Sequence, residues 1–276
     1  MIHQGKNPNE EKRKLKQDIT LKELFNQYIE RYSSKNNKPK TITEYTRIFE
    51  TYLQKLQNKR LNQLSKDEIK KTHSNIRDKH GKYAANRILS LIKAMFNKAI
   101  EWGYEAKNPA IYIKKFNETS RDRYIKPEEM PRFLESLNQE PNIVLKNFFY
   151  IALFTGARKN NILSMAWCDI DFTIREWRIP DTKNGKPVKL PLGDEAIEEL
   201  NKLDEYQKNN KIKSDYVFYS NASASGHLEG PKSVWKRILK RANIQNLIIH
   251  DIRRTLGSYQ AMRGSSLLVK IIGAQK

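Results

Sequence analysis

Thr155-Gly156-Ala157-Arg158-Lys159-Asn160-Asn161-Ile162-Leu163 follows directly on Ile143 to Phe154, an almost wholly apolar run that predicts a buried helix. Arg158 therefore stands at the mouth of a core element. A guanidinium fixed there is costly to desolvate unless it has an anion to hold. Downstream, Trp177 to Ile179 and Val188 to Leu190 have strand composition and are separated by Lys183-Asn184-Gly185-Lys186. Asn-Gly between short apolar runs is a strong hairpin signal, which puts Lys183 at a turn. Leu228 to Ala242 and Ile249 to Met262 then read as helices. In His250-Asp251-Ile252-Arg253 the histidine and the arginine share a helix face at i, i+3, whereas Arg254 lies about 100° further round.

Upstream, Pro127 with Glu128 and Glu129 predicts a helix start and opens a second domain over residues 124–276. Residues 106–123, with Asn108-Pro109 and several charges, read as a linker. Before it, residues 18–105 predict a four-helix domain. Thr20 and Glu23 form a capping box ahead of the stripe Leu21, Leu24, Phe25, Tyr28, Ile29 and Tyr32. A loop from Ser33 to Lys40 is expected next. Thr41 with Glu44 starts the second helix, Ser65 with Glu68 the third, and Tyr83 to Trp102 is the fourth, closed by Gly103. Residues 1–17 are a basic arm with almost no apolar side chain.

The 276 residues carry 52 Lys plus Arg against 31 Asp plus Glu, a formal net charge of +21. Such an excess destabilises the compact state by self-repulsion, and release of counterions from a polyanion offsets it. The cations are scattered from Lys6 to Lys276 and do not gather on one amphipathic helix or beside an anchor, which argues for nucleic acid over a membrane. Lys35, Lys38, Lys40, Lys82, Arg87 and Lys93 lie off the apolar stripes, where phosphate or solvent is expected. The start of the chain has no apolar signal segment, so a cytoplasmic, nucleoid-associated protein is expected. Cys168, the single cysteine, excludes a disulfide framework and a multi-cysteine zinc site, and reads as a buried thiol. No clustered carboxylates point to a Mg²⁺ nuclease; neither metal nor cofactor is expected.

Taken singly, a loop arginine, a hairpin lysine and a His-x-x-Arg spacing are ordinary surface features. In this order and context, Thr155-Gly156-Ala157-Arg158, Thr182-Lys183-Asn184-Gly185-Lys186 and His250-Asp251-Ile252-Arg253-Arg254-Thr255 resemble the catalytic domain of the tyrosine site-specific recombinases, the phage integrase family. Gly226-His227-Leu228 and Trp235 are similar to its prophage and genomic-island subgroup. The resemblance implies a mainly α protein: a helical, SAM-like core-binding domain, then an α+β catalytic domain with a small antiparallel sheet. It implies that Arg158 and Arg253 hold the scissile phosphate, that Lys183 protonates the leaving 5′ oxygen, and that His250 donates to the phosphate or shares proton transfer with the nucleophile. Arg254 is expected to be structural or to touch backbone phosphate. The implied partners are double-stranded DNA with an attachment-site-like inverted repeat, further copies of the chain, or a full-length integrase on the same DNA.

The sequence also departs from the family. The nucleophilic tyrosine is expected some way past His250, after a Leu-Gly-His or Leu-Gly-Trp box, and only Tyr259 follows, at a position that reads as packing. Asn161 stands where the family carries glutamate. The expectation is a recombinase chain truncated at both ends and cleavage-deficient as it stands. The rival readings are a non-catalytic duplex-binding module that occupies attachment sites, and an RNA-associated basic protein.

Overall fold

The computed structural model describes residues 18–180 and 186–262. The chain divides into two compact units, Met1–Ser120 and Arg121–Lys276.

The first unit is helical. α1 (Leu21–Tyr28) starts at Thr20, whose hydroxyl accepts the Glu23 N–H while Glu23 reaches back to the Thr20 N–H, the capping box foreseen from sequence. The chain then departs from expectation. In place of a loop from Ser33, a π-turn over Ile29–Ser33 leads into α2 (Ser34–Asn36). α3 (Pro39–Tyr52) begins two residues ahead of Thr41, because Pro39 has its φ preset for a first helical position and needs no partner for a missing N–H. α4 (Lys66–His80) is capped by Ser65, and α5 (Lys82–Glu101) follows after Gly81, whose φ of +85° suits glycine. Phe25 and Phe49 stack at 4.1 Å in the core, with Ile88, Leu89, Ile92, Met95 and Phe96 of α5 buried among the same residues. The stretch after α5 is laced down: Ala110 and Ile113 are buried, and the Asn86 side chain hydrogen-bonds both the N–H and the C=O of Phe116.

The second unit is α+β. Its chain turns at Lys126–Glu129 and begins α6 at Met130 (Met130–Asn138), three residues later than Pro127 suggests. The Glu129 carboxylate explains the delay, since it accepts the Lys126 N–H and pairs with Arg123. α7 (Ile143–Thr155) is the buried helix expected from its composition, and α8 (Lys159–Leu163) follows at once. Three antiparallel strands form one sheet in the order β1 (Ile170–Asp171), β2 (Glu176–Ile179), β3 (Val188–Pro191), with Trp177 opposite Leu190 and Ile179 opposite Val188. Sequence reading missed α9 (Asp194–Asn209), a mostly charged helix that buries only a narrow stripe of Ala196, Leu200, Leu203 and Gln207. α10 (Lys232–Arg241) starts four residues later than expected, because Leu228 is held in extended backbone by an N–H bond to Phe218 and Pro231 precedes the helix. α11 (Ile249–Met262) matches its expected bounds. The core gathers Phe133, Phe148, Phe149, Phe218, Trp177 and Trp235. Cys168 is exposed, not buried: it lies in a short 3₁₀ turn before β1, too short to bury one face.

Candidate phosphate-binding site

The site is built where α7 ends against α11. Gly156 caps α7 in the left-handed conformation, with φ +59°. That backbone favours glycine, and a Cβ there would stand 2.9 Å from Leu256 Cδ2, the end of a flexible side chain on α11. The turn is tightened by Thr155, whose hydroxyl donates to Ile151 O and accepts the Ala157 N–H. The chain thereby leaves the helix with Arg158 at the N-cap of α8, half-buried.

α11 supplies the opposite wall. Its buried side carries Asp251, Ile252 and Thr255, which turns Arg253 and Arg254 to half-buried positions and leaves His250 exposed. Arg253 donates from Nη1 to Gly156 O at 2.8 Å, tying the guanidinium to the end of α7. Burial lowers the pKa of Arg253, and the charge of Arg158 lowers it further. The pKa of His250 is also held below its ordinary value. Packing around the ring is the first cause, followed by the charges of Arg254, Arg253 and Arg158, against which Asp251 acts in the other direction. Two arginines and an imidazole from distant parts of the sequence thus share one electrostatic neighbourhood. Asp251 offsets it in part, while its carboxylate also accepts from Arg121, Arg254 and the Ile248 N–H. Like charges gathered at this density are costly to fold and offer a ready site for an oxyanion.

Lys183 lies outside the described residues, so the hairpin that would carry it is described only through its strands. Arg254 is bound to Asp251 at 3.0 Å, one helical turn away. Tyr259 is half-buried; among the described residues its hydroxyl has no hydrogen-bond partner, and burial, then Tyr124, Glu128 and Glu129, raise its pKa. Sequence reading missed Arg121 and Asp251. An aspartate in the first turn of a helix was the available signal for the second.

On the first unit, Lys35, Lys38 and Lys40 are exposed on and beside α2 and α3. Arg87 is largely exposed and lies 3.8 Å from Glu44. Lys82 Nζ meets Thr119 Oγ1 at 3.2 Å, and Lys93 is half-buried with Nζ donating to Ile113 O at 3.0 Å. Among the described residues no cluster of His, Cys, Asp and Glu could hold a metal ion, and no helix is long and apolar enough to cross a membrane.

Residues 123–269, which include Arg158, Lys183, His250 and Arg253, match the phage integrase family. The chain belongs to that family. Its relatives include prophage integrase IntF of Escherichia coli K12, 30% identical over 137 residues, which are 50% of this chain and 29% of IntF. The shufflon-specific DNA recombinase of Escherichia coli is 32% identical over 167 residues, 60% of this chain and 40% of the relative. The integrase of Salmonella phage P22 is 30% identical over 193 residues, 66% of this chain and 48% of that protein. This integrase-family chain therefore spans less than half the length of each of the three. Among solved structures, a lambda integrase tetramer bound to a Holliday junction superposes with a TM-score of 0.77 at 17% identity, over 98% of this chain and 81% of the other. The Tn1549 transposon integrase in complex with circular intermediate DNA gives 0.76 at 16% identity, over 93% and 91%. At these identities the likeness is one of fold, and the tyrosine-recombinase resemblance and the mainly α architecture with a small antiparallel sheet are both borne out.

Proposed function

We propose that the chain is a DNA-binding site-specific recombinase, acting in the cytoplasm on the nucleoid, in which Arg158, Arg253 and His250 grip one backbone phosphate of double-stranded DNA. The observation that carries the reading is the meeting of these three groups at the α7–α11 junction, with Arg253 anchored on Gly156 O. Two guanidinium forks match the non-bridging oxygens of a phosphodiester, and their charge grows in value as the pentacoordinate phosphorus forms. His250, neutral at pH 7, can donate one ring N–H and take up a proton as negative charge approaches. Lys183 is the proposed general acid for the leaving 5′ oxygen. Residues 18–105 form the proposed core-binding domain, with Lys35, Lys38, Lys40, Lys82, Arg87 and Lys93 tracking phosphates, Arg254 doing the same from α11, 106–123 as linker and 124–276 as the catalytic domain. The proposed substrate is an attachment-site-like inverted repeat bound by several copies, alone or with a full-length integrase.

Tyr259, the single tyrosine after His250, hides its hydroxyl and has a raised pKa, both of which oppose attack on phosphorus. Tyr259 is therefore proposed not to be the group that attacks phosphorus. The same observation favours a second reading, a duplex-binding module that occupies attachment sites. A nicked suicide duplex tests both. Salt-sensitive binding without a covalent adduct on Tyr259 is expected; an adduct on Tyr259 overturns its exclusion as nucleophile, and a preference for RNA over duplex DNA overturns the recombinase reading.

A further inference from the structure

The most heavily bonded carboxylate of the second unit is not among the groups that would touch phosphate. Asp251 is fully buried. It accepts from Arg121 Nε at 3.0 and 2.9 Å on its two oxygens, from Arg254 Nη1 at 3.0 Å and from the Ile248 N–H at 2.9 Å. The other end of the Arg121 guanidinium is held as well, by the Asn246 side-chain oxygen at 3.1 Å and by the Asn246 carbonyl. One turn further along α11, Thr255 donates to Asp251 O and accepts the Ile125 N–H at 2.9 Å. Residues 121–125, where the second unit begins, are thus stitched at two points to the face of α11 opposite His250 and Arg253.

We propose that Arg121 is a positioning residue: through buried Asp251 it fixes the rotation of α11, and with it the placement of His250 and Arg253. His250 is one residue before Asp251 and Arg253 two after, so neither can move independently of that anchor. A helix rotation of about 20° carries a side-chain tip roughly 6 Å from the axis through about 2 Å. Preorganised donors lose much of their value when misplaced by about 1 Å. The inference rests on the phosphate-grip reading for its purpose, but the anchoring itself is tested without DNA.

The molecule contains its own control. Glu140 is likewise a buried carboxylate, held by Arg237 at 2.6 Å and by Arg241, but it joins α6 to α10. The full chain with ring-labelled histidine is followed by NMR titration, the His250 signal being assigned by its loss in His250→Gln. Arg121→Lys keeps the charge but lacks the planar fork that spans both carboxylate oxygens and Asn246. It is expected to move the His250 pKa up, toward the ordinary value near 6.5, as the ring leaves its cation-flanked position. Arg237→Lys is expected to leave it unchanged. Arg121→Lys titrating as wild type, or Arg237→Lys shifting His250 equally, overturns the proposal. Should Arg121→Lys not fold, Asn246→Gly, which suits the φ of +52° there and removes one anchor of the same guanidinium, makes the comparison with the same two outcomes. Adding a DNA duplex separates this from the parent reading: if wild-type His250 ignores the duplex, the phosphate grip fails, while the free-state comparison still decides the role of Arg121.

Discussion

His73 in the helical unit and His250 in the second unit both have lowered pKa values, yet the first is buried and the second is exposed. His73 is buried between α4 and α5, stacked at 4.3 Å on Phe116, with Nε2 at 3.2 Å from Asn86 Oδ1. Burial is the main cause of its shift, opposed by the Asn86 bond and reinforced by Arg77 and Lys93. Its Nε2 is answered inside the protein by Asn86, and Arg77, though near, pairs with Asp78 and lies over the face of Phe116. His250 is exposed, and the charges of Arg254, Arg253 and Arg158 act on it. A perturbed pKa alone does not mark a site. Like charges converging on open space do.

Asn86→Ala should have the largest effect, because it removes bonds to His73, to both polar groups of Phe116 and to Glu118 at once and leaves buried partners unanswered. A loss of about 3 kcal/mol in urea unfolding is expected, with the titration of His250 unmoved. Next comes Arg253→Ala, expected to weaken duplex binding by about 2 kcal/mol, roughly thirtyfold, in fluorescence anisotropy. Its cost in folding stability should stay under about 1 kcal/mol, since losing the bond to Gly156 is offset by relief of repulsion from Arg158. A stability loss as large as that of Asn86→Ala would make the α7–α11 junction a structural network like the one around His73.

The pH responses are smaller and differ in kind. His73 has a folded pKa below its unfolded value of about 6.5, so its contribution to stability is complete above that pH and is lost as pH falls toward the folded value, at no more than about 1.4 kcal/mol per pH unit. Urea unfolding at pH 7 and pH 5 should show this loss, diminished in His73→Gln. A bound phosphate raises the pKa of His250, so the protein takes up a proton on binding. Affinity for a duplex should therefore strengthen as pH falls from the bound-state toward the free-state pKa, by at most about tenfold per unit, and His250→Gln but not His73→Gln should abolish the trend. The smallest effect is expected of Lys35→Gln, Lys38→Gln and Lys40→Gln singly. Each should reduce the salt dependence of binding by about one phosphate's worth, uniformly across DNA sequences; a change confined to one DNA sequence would assign that lysine to base reading instead.

Much of this was legible in the residues themselves, where local physics suffices. The capping box at Thr20 and Glu23, the apolar run of α7, and the strands around Trp177 and Val188 follow from periodicity, capping and turn chemistry, each acting over a few neighbours. The reading failed where a bond that no local pattern announces set the boundary, or where the apolar signal was thin. Glu129 bound to Arg123 delays α6, Leu228 bound to Phe218 delays α10, and α9 has too narrow an apolar stripe to stand out from its charges.

The order of Arg158, Lys183 and His250-x-x-Arg253, together with the basic charge, was fixed in the one-dimensional text and was enough to point to the family. Only the tertiary structure decided that Gly156 lies against Leu256, that Arg253 rests on the end of α7, and that Arg121 reaches a carboxylate 130 residues away. The reason is physical: chain identity sets local conformational preference, whereas the burial and charge felt by a side chain are properties of everything folded around it.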